Sequence, residues 1–118
     1  MTLLQFWRNP AARSCDVVEP EFSRLYCRKG KRYIPLPGQG WVWVDNLLQI
    51  ANLTARHPQS GAFTRLLAKA DRHLHCNVWV ENVFNPGFAE ALDRHGFIRV
   101  GLGTEGGSFP PCFLKMRE

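Results

Sequence analysis

Five cations crowd one short stretch of this 118-residue chain: Arg24, Arg28, Lys29, Lys31 and Arg32. They belong to a net charge of +5, from 15 Lys and Arg against 10 Asp and Glu. Such a cluster draws anions, whether nucleic acid, the phosphates of a small molecule or an acidic protein; without one it is a solvated hairpin tip. Gly61 is a second chemical feature. Apolar sequence ending near Ala55 passes through it into a helix, and such a junction aims unpaired N–H groups and the helix dipole at one point, which suits a bound anion. His73, His75 and Cys76 have metal-ligand chemistry, but a helix end followed by a strand sends His75 and Cys76 to opposite faces, so no metal is expected there. Trp41 and Trp43 share one strand face beside the cations and could stack bases. Packing under a helix accounts for them better and is the expectation. There is no Gly-x-Ser-x-Gly elbow, and the Cys–His neighbours fall on a structural strand, so hydrolysis through a nucleophile is unsupported.

The elements that must position these groups follow from periodicity. Leu3, Leu4, Phe6 and Trp7 form a short helix-compatible cluster broken by Pro10. Strands are expected over Phe22–Cys27 and Lys31–Leu36, with Arg28-Lys29-Gly30 as the hairpin turn between them. The stretch Pro35 to Gly40 reads as a loop. Trp41–Val44 and Leu47–Ala55 have strand character. Asp45-Asn46 either turns between them or bulges a single strand. Phe63, Leu66, Leu67 and Ala70 give a helix over Ser60–His73 one apolar stripe, with Ser60 as N-cap and Arg65, Lys69 and Arg72 outward. Cys76, Val78 and Val80 alternate as a strand within Leu74–Glu81. Asn85 and Pro86 open another helix that Gly96 ends. Phe97–Gly101 and Pro111–Met116 are the last strands, joined by the glycine-rich Gly101–Ser108.

One domain over residues 1–118 fits this length, and 45% hydrophobic with 21% charged residues is globular composition. No apolar run approaches a membrane span, and the start of the chain lacks the pattern of a cleaved signal, so cytoplasm and no membrane partner are the expectations. Cys15, Cys27, Cys76 and Cys112 are unevenly spaced with no C-x-x-C pair, which favours free, mostly buried thiols.

The run from Ile50 to Val100 resembles the acyl-CoA-binding half of the GNAT acetyltransferases. The resemblance rests on the order strand, glycine loop, helix with Leu66-Leu67, strand Val78-Trp79-Val80, Asn85, short helix and Gly96-Phe97. Where the family has Gln/Arg-x-x-Gly-x-Gly/Ala, this chain has Pro58, Gly61 and Phe63. Where it often has a tyrosine general acid, this chain has Leu92. The segment Asn77 to Asn82 also resembles small GNAT-like proteins of tailed bacteriophages, of the internal virion protein class.

That resemblance implies an α/β (α+β) fold: a bent mixed sheet flanked by helices on both faces, with a shortened N-terminal region. It implies acetyl-CoA as acyl donor and transfer of an acetyl group to an amine. Backbone groups of Gln59, Ser60, Gly61, Ala62, Phe63 and Thr64 would meet pyrophosphate, with Arg56 or Arg65 adding charge. Strand carbonyls from Leu53 to Ala55 would hold pantetheine, and Asn85 would either lie near it or cap its helix. Asp45 and Glu81 are the candidate bases for the amine proton. The alternative is a non-catalytic phage binding protein on the same scaffold, in host cytoplasm or virion, engaging a host or virion protein through its basic and aromatic surface. A nucleic-acid partner is not expected but stays open.

Overall fold

Every second residue on three neighbouring strands is apolar and buried: Leu25 and Cys27, Leu48 and Ile50, Val78 and Val80. That alternation builds one face of a six-stranded mixed sheet, seen in a computed structural model that describes residues 1–83, 85–101 and 111–117. The strands are β1 (Ser14–Asp16), β2 (Phe22–Leu36), β3 (Gly40–Ala55), β4 (Asn77–Val80), β5 (Ile98–Val100) and β6 (Cys112–Lys115). Their order is β1-β2-β3-β4-β6-β5, and among the described residues only the β3–β4 pair is parallel.

Among the described residues three helices cover that face. In α1 (Leu3–Arg8), Thr2 and Gln5 form a reciprocal cap, and Leu3 and Phe6 are fully buried. Helix α2 (Ala62–Lys69) carries the β3–β4 crossover, as a parallel pair requires, and continues as a π-helical turn, Ala70–Leu74. Helix α3 (Pro86–Arg94) starts on Asn85, whose Oδ1 accepts from the amides of Gly87 (2.8 Å) and Phe88 (3.2 Å). Residues from all three helices join the same core. The bent mixed sheet with packed helices forms as expected, but among the described residues the helices lie on one face rather than both. The opposite face is concave: the sheet curls so that β2 approaches β5, and Ile34, Val44, Leu47, Trp79, Val100 and Leu114 close a second, strand-only core. Leu66, Val78, Val80 and Phe97 share the main core as expected, whereas Leu53 and Leu67 pack at its margin, half-buried.

The basic stretch is not a hairpin turn. β2 runs unbroken through Arg28-Lys29-Gly30, and Gly30 (φ 139°) lies at a register shift where a β-bulge turns the strand. The chain reverses instead at Pro37–Gln39, within the expected loop. β3 is the single bulged strand of the two alternatives: Val44 pairs with Arg32 and Leu47 with Gly30, so Asp45 and Asn46 (φ 51°) form the bulge. The connection expected over Gly101–Ser108 lies, beyond Gly101, outside the described residues.

Candidate functional site

A cleft begins where β3 and β4 part. They pair from Leu47–Asn77 to Ile50–Val80, and the Glu81 amide makes a last contact with the Ile50 carbonyl (3.1 Å). The chain then turns at Asn82 (φ 57°) towards β6, where the Val83 amide donates to the Pro111 carbonyl (3.1 Å). β3 meanwhile continues to Ala55 with β2 along one side. Leu53 and Ala55, both half-buried, therefore lie on a stretch of strand that β4 has left.

Beyond that stretch the backbone twists into α2. Gln59 (φ 62°) and Gly61 (φ 84°) are left-handed, and Gly61, not the expected Ser60, is the N-cap, with no side chain satisfying the first-turn amides. Such a twist gathers N–H groups into an anion-binding concavity. A Cβ at Gly61 would meet only the movable end of the Arg65 side chain (Nη1, 2.9 Å), so it is the left-handed φ that favours glycine here. Gln59, Ser60 and Gly61 are exposed, Ala62 is buried, and Thr64 places Oγ1 3.1 Å from His95 Nε2.

The cations around this loop are turned elsewhere. The Arg65 guanidinium pairs with Glu21 and also donates to the Ser60 carbonyl (2.9 Å). This pairing holds the Glu21 carboxyl below its usual range. Lys69 donates to Glu19 at 2.5 Å, and Arg56 donates to the Pro20 carbonyl at 3.0 Å. Deeper in, Phe63 meets the Phe88 ring edge-on at 4.9 Å and bridges α2 to α3. Leu92 is fully buried. On the far side of that aromatic bridge, a cleft of about 540 Å³ lies between α2 and the ends of β4 and β6, lined by Thr64, Cys76, His95, Lys115 and Arg117 among others.

The two candidate carboxylates are not brought together. Glu81 stands at the parting of the strands on the concave face, paired with Arg28 and with Arg32 (3.6 Å). Arg32 also lies over the Trp79 ring and donates to Gln49. Asp45 is exposed at the β3 bulge, five positions before Ile50, which is roughly 16 Å back along the strand. Asn85 is a cap, the second of its two readings. His73 and His75 are exposed while Cys76 is buried, and no described group of three His, Cys, Asp or Glu side chains could hold a metal. All four cysteines are free, with Cys15 alone half-exposed.

Trp41 and Trp43 are not core. They are 56% and 65% exposed, and Tyr33, 48% exposed, lies 5.3 and 5.1 Å from them. Alternation along Trp41-Val42-Trp43-Val44 gives the tryptophans a common face, and only the folded helices decide that this face is bare. Val42 and Val44 claim the inward side of β3, and α1 is too short a helix to reach over strands of this length.

Known protein families, characterised proteins and solved structures offer no match to this chain.

Proposed function

We propose that the chain is a GNAT-like protein that receives acetyl-CoA in the cleft between β3 and β4 and passes its acetyl group to an amine. One observation carries the reading: a parallel strand pair parts at Ile50 and Val80, and the strand that continues leads into a glycine-started helix with uncapped amides. In that family the strand before the glycine loop splays from its neighbour to admit pantetheine. The pyrophosphate then meets the amides of Gln59 to Thr64, and Leu53 to Ala55 offer backbone groups to the pantetheine arm. Glu81 is the carboxylate at the cleft's inner end and takes the role of base, while Asp45 is too far along β3 to share it. Leu92, buried and without a proton to give, leaves thiolate protonation to water.

The non-catalytic reading has its own support. The Phe63–Phe88 contact fills the gap between α2 and α3, as in a scaffold that has given up its acyl donor and binds a host or virion protein. Isothermal titration with acetyl-CoA separates the two. Binding by the wild type and its loss in Gly61→Glu, with unchanged far-UV circular dichroism, is the expected result. No heat at millimolar acetyl-CoA overturns the enzyme reading.

A further inference from the structure

Among the described residues Tyr33, Trp41 and Trp43 are the aromatic members of the exposed large apolar set, and they form one array. They project from the outer end of the β2–β3 hairpin, on the face that the helices cover further along; Val42, Val44 and Ile34 point the other way. Tyr33 faces Trp43 across the strand pair and stacks on Trp41 at an interplanar angle of 27°. Three rings fixed by neighbouring strands are a ready platform, because little side-chain freedom remains to be lost when a flat partner docks.

Charge surrounds its base. The Lys31 ammonium lies 5.1 Å from the Trp43 ring centre. Lys29 donates to the carbonyls of Phe6 (2.6 Å), Trp7 (3.2 Å) and Asn9 (2.5 Å), which fastens the end of α1 beside the arm. That brings Arg8, in the last turn of α1, and Arg13, whose carbonyl accepts from the Lys29 amide, to the same edge, and both are exposed. Burial, and after it the charge of Arg13, lowers the Lys29 pKa. Among the described residues Arg8, Arg13 and Lys31 enter no ion pair. Asp45, on the bulge opposite Lys31, is the one carboxylate on this part of the arm.

We propose that this arm binds single-stranded nucleic acid, with bases stacking on Trp41 and Trp43 and phosphates meeting Lys31, Arg13 and Arg8. The occupant follows from combining flat faces with uncompensated positive charge. A neutral glycan would use the rings and ignore the cations, a second copy would set +5 against +5, and a duplex hides its base faces. The surface is separate from the acyl-CoA cleft, so Gly61→Glu is expected to bind oligonucleotide like the wild type whatever acetyl-CoA does.

Fluorescence anisotropy of the full chain with labelled twelve-nucleotide dT and rU tests this. Three phosphate contacts predict affinity that falls roughly 40-fold between 50 and 300 mM salt, from a log–log slope of about −0.7 per contact. Trp41→Ala and Trp43→Ala are each expected to weaken binding about tenfold or more at fixed salt, with circular dichroism unchanged because both side chains are exposed. Lys31→Glu should weaken binding and flatten the salt slope. Preference for dT or rU, with these dependences, supports the proposal and names the polymer. No binding at 50 mM salt, equal binding of a duplex, or binding that both tryptophan variants retain would overturn it.

Discussion

Cys27 and Cys76 are thiols out of reach. Burial pushes the first up to about 12 and the second to about 11, so neither forms appreciable thiolate near neutrality. Cys112 is also buried, and burial raises it too. Titration of the native protein with a thiol reagent at pH 8 should therefore show one fast cysteine, Cys15, and Cys15→Ser should remove that phase; several fast thiols would mean that the core opens readily. Glu21 gives a pH signature of opposite chemistry. Its folded pKa is lowered by the Arg65 hydrogen bonds, so its contribution to stability is present above the ordinary carboxylate pKa and is lost as pH falls through the folded value. Melting temperatures of wild type and Glu21→Gln should differ at pH 6 and converge in acid. A difference that persists at low pH would assign the effect to packing. Glu81 is tested by activity: if it is the base, Glu81→Gln should lower acetyl transfer about 10²–10⁴-fold. Unchanged turnover would remove it from that role.

At the scale of elements, helix packing gives the sharper contrasts. Leu92 is fully buried and Leu66 nearly so, and truncating either to Ala should cost about 2–5 kcal/mol. Leu67 is half-buried and should cost less, although both leucines sit in one apparent stripe of α2. Asn85→Ala removes two accepted hydrogen bonds and should cost about 1 kcal/mol. Chemical denaturation of the four variants checks the ranking. α2, α3 and β4 were legible because their apolar residues repeat at the helical or strand period, and Asn85 and Gly96 mark the ends of α3; the cap of α2 falls at Gly61, one residue after the expected Ser60. The long hairpin was not. Charged Arg28-Lys29-Gly30 has turn chemistry, but Arg28 finds Glu81 across the concave face and Lys29 finds the carbonyls of α1, contacts set by the sheet's curl rather than by local sequence. The exposure of Trp41 and Trp43 escaped for a related reason, since a strand pattern assigns residues to faces and cannot say how far a helix extends over one. Asp45 and Glu81 looked equivalent because each marks a strand irregularity, and only the β3–β4 register separates them.

For the whole molecule, β4 is the junction. All four of its residues are buried, with β3 along one side and β6 along the other. Its amides should exchange with deuterium more slowly than those of β1 or β5, which lie at the sheet's edges. The insertion of β6 between β4 and β5 has a temporal consequence. β5 reaches the sheet through β6, which is made later in the chain, so a ribosome that has released only the first hundred residues holds a hairpin and helices but no way to seat β5. Val80 and Trp79 then lack Phe113 and Leu114 as neighbours, and the edge of β4 that becomes interior stays open during synthesis. Folding is thus committed late, at the moment residues 112–115 pair along the free edge of β4 and give β5 its own partner. A fragment ending at Gly101 should show helix in the far ultraviolet but none of the fixed aromatic signal of the full chain.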